Sequence, residues 1–81
     1  MKPSEARTKL ISMLKEISDR KIRMNALKAA ATYLKTHNIV EKKVCKARII
    51  TFYSMWLDKI NSADKKEKIS LLRRLLSIAR K

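Results

Sequence analysis

A chain of 81 residues with no glycine, and with its single proline at position 3, has nothing from which to build hairpin turns or phosphate-cradling loops. What remains is dominated by Ala, Leu, Lys, Arg and Ile, residues that favour helix. The fold class this predicts is all-α. The stretch 44–60 then sets the architecture, because it holds the only Trp, the only Phe and one of the two Tyr. Its apolar positions Ile49, Phe52, Tyr53, Trp56, Leu57 and Ile60 recur at the three- and four-residue spacing of a helix burying one face. Ile50 and Met55 fall outside that face. The apolar surface is therefore wide, as in a helix flanked on two sides by other helices.

The other helices follow from caps and periodicity. Pro3-Ser4-Glu5 reads as a helix start with Ser4 as the cap. Leu10, Ile11, Met13, Leu14 and Ile17 extend it over about 5–18. Ser18-Asp19 breaks that pattern and supplies the next cap. A second helix, about 20–36, carries Ile22, Ala26, Leu27, Ala30 and Leu34 on its buried face. The run Ala29-Ala30-Ala31 permits close approach of a neighbour. Thr36-His37-Asn38 forms a turn, and Asn38 with Glu41 has capping-box spacing, opening the central helix over about 39–60.

Asn61-Ser62-Ala63-Asp64 is the clearest linker, with Asp64 or Ser62 capping a fourth helix over about 65–79. Ile69, Leu72, Leu75, Leu76 and Ala79 share its apolar face, broadened by Leu71 and Ile78, while Arg73, Arg74, Arg80 and Lys81 stay in water. The expected core is Leu14, Ile17, Leu27, Leu34, Phe52, Trp56, Leu57, Leu72 and Leu76, with exposure the open alternative for Tyr33. Together these predict a single domain over 1–81, a compact bundle of four helices.

The formal charge is +14, from 21 Lys and Arg against 7 Asp and Glu. Solubility of a small domain needs only roughly 2 to 8. A domain this basic is drawn to nucleic acid, to an anionic membrane or to an acidic partner protein. Its cations gather at three helix starts: Arg20, Lys21 and Arg23; Lys42, Lys43, Lys46 and Arg48; and Lys65, Lys66 and Lys68. The last helix adds Arg73 and Arg74. A helix N-terminus is already positive, so these are misplaced as stability devices. A solvated charged surface is the plain account, but the lopsided total favours electropositive faces that accept phosphates.

Other chemistries have less to stand on. The carboxylates, at 5, 16, 19, 41, 58, 64 and 67, mostly sit at helix starts, where capping explains them. One His and one Cys cannot hold zinc. A Cys45–His37 dyad is conceivable, yet a small half-buried thiol and a turn histidine account for both residues. No catalytic, metal or cofactor residue is expected. The second and third helices could form a helix-turn-helix presenting Lys42, Lys43, Lys46 and Arg48 to a groove. That turn lacks the frequent Gly, and its recognition helix would hold most of the aromatic core. Phe52, Tyr53 and Trp56 could stack on bases, but their spacing assigns them to the core.

The last helix is basic and amphipathic enough to lie on anionic lipid, a lesser alternative because so small a domain needs it for its core. No uncharged apolar run approaches the ~20 residues of a membrane span, and the first residues lack the apolar core of a signal peptide. The single Cys permits no internal disulfide. An intracellular protein is expected, nuclear or cytoplasmic, or in the host cell if virus-encoded.

Residues about 10–57 resemble the N-terminal helical-bundle (LW) domain of transcription elongation factor S-II, including its integrase-binding branch. That pattern is a Leu-rich first helix, a break before an apolar residue, Leu-x-x-His, and a helix ending in Trp. Leu10, Leu14 and Ile17 supply the first part, and Ile22 follows the Ser18-Asp19 break. Leu34-Lys35-Thr36-His37 is similar to the third part, and Ala47, Ile49, Phe52 and Trp56 to the fourth. The central Gly frequent in that family is missing here, the His37-to-Trp56 interval is longer than in the elongation factor, and no counterpart of the integrase-binding branch's acidic contact residue is evident. The resemblance implies a non-enzymatic docking module of transcription or chromatin machinery that recruits acidic disordered segments. A direct DNA- or RNA-binding protein, with a dimer left open, is the rival expectation.

Overall fold

Asp19 and Asn38 begin their helices as their residue types dictate. The Asp19 carboxylate accepts the Ile22 N–H at 2.9 Å, and the Asn38 side-chain oxygen accepts the Glu41 N–H at 2.9 Å. The reciprocal arm of a capping box is absent at Asn38; its N–H goes instead to the Thr36 hydroxyl at 3.1 Å. In the computed structural model, which describes residues 1–80, the helices are α1 (Pro3–Lys15), α2 (Arg20–Lys35), α3 (Ile39–Lys59) and α4 (Lys65–Ala79). There is no strand among the described residues. The all-α, four-helix expectation holds, and Lys81 lies outside the described residues.

Two starts differ from expectation. Lys2, not Ser4, is the N-cap of α1, with extended backbone and no side-chain cap bond. Pro3 takes the first helical position, where a missing N–H costs nothing, and draws the start forward by two residues. At α4 Asp64 occupies the cap position but its side chain makes no cap bond.

The ends of the helices are closed by other means, because a glycine-free chain lacks the usual left-handed terminator. Among the described residues only α3 ends in a Schellman motif. Asn61 adopts φ 55°, with the Ser62 N–H on the Leu57 carbonyl at 2.9 Å and the Asn61 N–H on the Asp58 carbonyl at 3.0 Å. Asn is the residue that tolerates this conformation best after Gly. At three other ends an arginine from elsewhere reaches the loose carbonyls. Arg23 donates to the Ile17 carbonyl beyond α1 at 2.9 Å, and Arg7 of α1 donates to the Ala79 carbonyl of α4 at 3.0 Å. Arg80 donates to the Leu34 and Thr36 carbonyls at the end of α2, at 3.3 and 3.0 Å. Arg80 also lies over the Tyr33 ring, 5.9 Å from its centroid, and is half-buried rather than left in water as the sequence pattern suggests.

These bonds fix the topology. Arg7 ties the start of α1 to the end of α4, Lys59 at the end of α3 pairs with Asp19 at the start of α2 (2.6 Å), and Lys65 at the start of α4 pairs with Asp58 (2.7 Å). Neighbouring helices therefore run antiparallel, in the ring α1–α2–α3–α4–α1. The parallel diagonals are joined by aromatic donors. The Tyr33 hydroxyl of α2 donates to the Leu76 carbonyl of α4 at 2.7 Å, and the Trp56 indole N–H of α3 to the Ser18 hydroxyl after α1 at 2.9 Å. The radius of gyration, 11.8 Å, equals the ~12 Å of a closely packed chain of this length.

The core is Ala6, Leu10, Leu14, Ile17, Ala26, Ala30, Tyr33, Cys45, Ile49, Tyr53, Trp56, Leu57, Leu72, Leu75, Leu76 and Ala79. Of the expected members, Leu14, Ile17, Trp56, Leu57, Leu72 and Leu76 are buried, whereas Leu27, Leu34 and Phe52 pack half-buried at the margin. Ile22 and Ile69 are marginal too. The stripe that α2 buries is Ala26, Ala30 and Tyr33, two small side chains that let its neighbours close in and one large one that reaches α4. Tyr33, whose place the periodicity leaves open, is 1% exposed. Ile60 is 46% exposed because α3 has ended one residue before it. Ile17 lies beyond α1, which stops at Lys15 rather than near 18, yet stays fully buried.

Three outcomes are expected. Arg80→Met keeps the stem but leaves the α2 carbonyls unpaired, and Tyr33→Phe removes the bond to Leu76; each lowers unfolding free energy by about 1–2 kcal/mol in urea titrations. The Ile22 N–H, then Lys59, hold the Asp19 carboxyl below its ordinary value. Its ionised form stabilises the fold above the usual carboxylate range, and that contribution is lost as pH falls through it. The melting temperature should drop below about pH 4, and Asp19→Asn should flatten that drop. Burial pushes the Tyr33 and Tyr53 hydroxyls up, so phenolate absorbance should appear only above pH ~10, with stability falling over the same range.

A candidate polyanion-binding groove

Helix α3 is enclosed by α2 on one side and α4 on the other, and its residues that face neither core form the wall of a groove. Lys43, Lys46, Ala47, Ile50, Thr51 and Ser54 recur at three- and four-residue intervals, so they line one stripe of α3. Lys65, Lys66, Ile69, Ser70 and Arg73 do the same on α4. Between them lie two adjoining hollows. The first, about 340 Å³, is lined by Lys43, Lys46, Ala47, Ile50, Thr51 and Arg73. The second, about 500 Å³, is lined by Ile50, Ser54, Lys65, Lys66, Ile69, Ser70 and Arg73. Ile50 and Arg73 belong to both, which makes the hollows one continuous groove.

Its electrostatics are one-sided: no carboxylate lines either hollow. Lys65 is partly neutralised through Asp58 at 2.7 Å, an exposed pair of little energetic weight. Lys43, Lys66 and Arg73 are exposed, and Lys46 is half-buried along its stem. The half-buried Ile50 and Ile69 pack against the core and give the groove an apolar floor. The hydroxyls of Thr51, Ser54 and Ser70 alternate with the cations.

The remaining sequence candidates are placed elsewhere. Arg23 is turned inward to Ile17, which leaves Arg20 and Lys21 as the exposed pair at the start of α2, outside the groove. Lys42 and Lys68 are half-buried and line neither hollow of the groove. Arg74 shares a shallow hollow of about 370 Å³ with Glu67 on the outer face of α4. Arg48 borders the larger hollow between α2 and α3, about 660 Å³, with Lys28, Glu41, Val40, Val44, Cys45 and Phe52 among its other walls. Five of the sequence candidates thus line the groove, whereas its hydroxyls and its floor were not among them. The available signal was Ile50, an apolar residue off the core stripe with cations one turn before it.

The stretches that suggested other chemistry are used by the fold. Tyr53 and Trp56 are buried, their rings 5.8 Å apart at 47°, a tilted packing pair. Cys45 is buried beneath the α2–α3 hollow, more deeply than the half-buried thiol expected, while His37 is exposed in its turn. On α4 Leu72, Leu75, Leu76 and Ala79 are buried in the core, Ile69 and Ile78 pack at its margin, and Leu71, expected to broaden that face, is 42% exposed. Among the described residues, no helix is long and apolar enough to cross a membrane, and no three His, Cys, Asp or Glu side chains gather at metal-binding distance. No family model, curated protein or solved structure matches the chain.

Proposed function

We propose that the chain is a non-enzymatic docking module of transcription or chromatin machinery that holds an anionic macromolecule in the α3–α4 groove. The observation that supports this is a groove walled by Lys43, Lys46, Lys65, Lys66 and Arg73 from two helices, with no acidic side chain in its lining. A single exposed ion contact is worth only about 1 kcal/mol in water. Several held in fixed register by two packed helices, and releasing counterions together, give useful affinity. The resemblance to the elongation-factor bundle supports the transcriptional setting, and an intracellular location, nuclear or cytoplasmic, goes with it.

A second reading has an acidic disordered segment with an apolar anchor lying in the α2–α3 hollow. It is favoured by Val40 and Val44, 71% and 43% exposed, and by Phe52 on the same wall. The readings differ in salt response, because buried apolar anchors are not screened and exposed ion contacts are.

The test is a fluorescence titration of a labelled polyanion at low and at physiological salt, with the triple variant Lys43→Glu, Lys46→Glu, Arg73→Glu beside the parent chain. The groove reading expects binding that weakens steeply with salt and falls more than about tenfold in the variant, at unchanged helical content. Binding that survives the triple substitution would place the target on another surface.

A further inference from the structure

We infer that the occupant of the α3–α4 groove is the phosphate backbone of a nucleic-acid duplex, held without reading of base sequence. This rests on the groove reading above and narrows it to one partner. The argument begins with what the groove lacks. Proteins that hold single strands combine a basic track with aromatic side chains on which bases stack. This chain has four aromatic residues, Tyr33, Phe52, Tyr53 and Trp56. Three are buried in the bundle, and Phe52 lines the opposite hollow, between α2 and α3. No stacking platform borders the cationic groove. A single strand bound there would be ordered without gaining stacking in return, whereas a duplex arrives ordered and carries a denser row of charge.

What the groove contains is phosphate chemistry. Lys ammonium groups and Ser or Thr hydroxyls are donors that bind phosphate oxygens and fix register. The side chains that pair bidentately with adenine are Asn and Gln; the chain has no Gln, and Asn25, Asn38 and Asn61 all lie outside the groove. Arg73 supplies the one guanidinium fork; the lysines, which also reach guanine, are point charges on flexible stems without a fixed fork, and together they define no sequence. The dimensions agree. Lys43 to Ser54 spans about 16 Å at 1.5 Å per helical residue. Over that length of its axis a duplex carries about nine phosphates on its two strands, at roughly 1.7 Å each, so each groove cation has phosphate within reach. Five cations, Lys43, Lys46, Lys65, Lys66 and Arg73, line the groove.

An acidic peptide fits this groove less well. Its apolar floor, Ile50 and Ile69, is half-buried against the core, while the exposed apolar side chains a peptide anchor would seek, Val40 and Val44, are at the other hollow.

The experiment titrates the whole chain against a labelled DNA duplex of mixed sequence, the same duplex scrambled, a single strand of equal length and poly-glutamate, across a salt series. Expected are tightest binding to the duplex and equal affinity for the scrambled form. The slope of log affinity against log salt should lie near −4 to −5, about 0.9 per phosphate, and lose about one unit in Arg73→Gln at unchanged helical content. A single strand bound as tightly as the duplex, a scrambled duplex bound more than about tenfold differently, or poly-glutamate preferred to DNA would each overturn the inference and leave the groove reading standing. Failure of all four probes at low salt would overturn both.

Discussion

Every helix end leaves carbonyls without intrahelical partners, and a chain without glycine lacks the residue that most often turns back to satisfy them. The bundle depends on how this is resolved. Asn61 takes the left-handed position at the end of α3, and arginines reach in elsewhere: Arg23 to Ile17, Arg80 to Leu34 and Thr36, Arg7 to Ala79. A guanidinium suits the task because its planar fork presents several donors and never loses its charge, which the negative helix end favours. Since Arg7 and Arg80 reach from one helix to the end of another, closing a helix and fixing its neighbour are one event. The antiparallel ring follows, with Tyr33 and Trp56 bracing its diagonals.

This divides the positive charge of +14 into parts with different physics. The arginines at carbonyls are half-buried or bridge elements and belong to folding. Lys43, Lys46, Lys66 and Arg73 of the α3–α4 groove form no ion pair among the described residues, and Lys65 pairs with the exposed Asp58. Their mutual repulsion opposes folding mildly, and the anionic partner we propose would relieve it. On the function proposed above, stability and binding fall to different cations of one small chain. Leu72, Leu75, Leu76 and Ala79 of α4, a helix amphipathic enough for a lipid surface, are buried in the core, while Leu71 is 42% exposed.

The sequence made the helices legible because periodicity and caps are local. Asp19 and Asn38 were readable as caps, and the stripes on α3 and α4 as buried faces, from spacing alone. What escaped was whatever depends on a distant partner. Tyr33 looks ambiguous until Leu76 and Arg80 are brought to it, and Arg80 looks like a wet terminal cation until the end of α2 lies beside it. Arg23 counts as a surface charge unless the Ile17 carbonyl is seen to need a donor. Pro3 displaced Ser4 as the organiser of α1 because a ring that fixes φ outweighs an optional cap bond. The groove was half legible: its cations stood out by charge, but joining Lys43 and Lys46 to Lys65, Lys66 and Arg73 required the packing of α3 on α4.

The separation of structural from binding cations is tested most directly by a neutralisation scan with two readouts. Arg7, Arg23, Arg80, Lys43, Lys46 and Arg73 are each changed to Gln, and every variant is measured for melting temperature and for duplex affinity at one low salt concentration. The expected result is two disjoint sets. The first three lose melting temperature and, while folded, keep their affinity; the last three keep melting temperature and lose affinity. A variant of Arg80 that binds poorly while melting normally, or groove variants that unfold, would contradict the account.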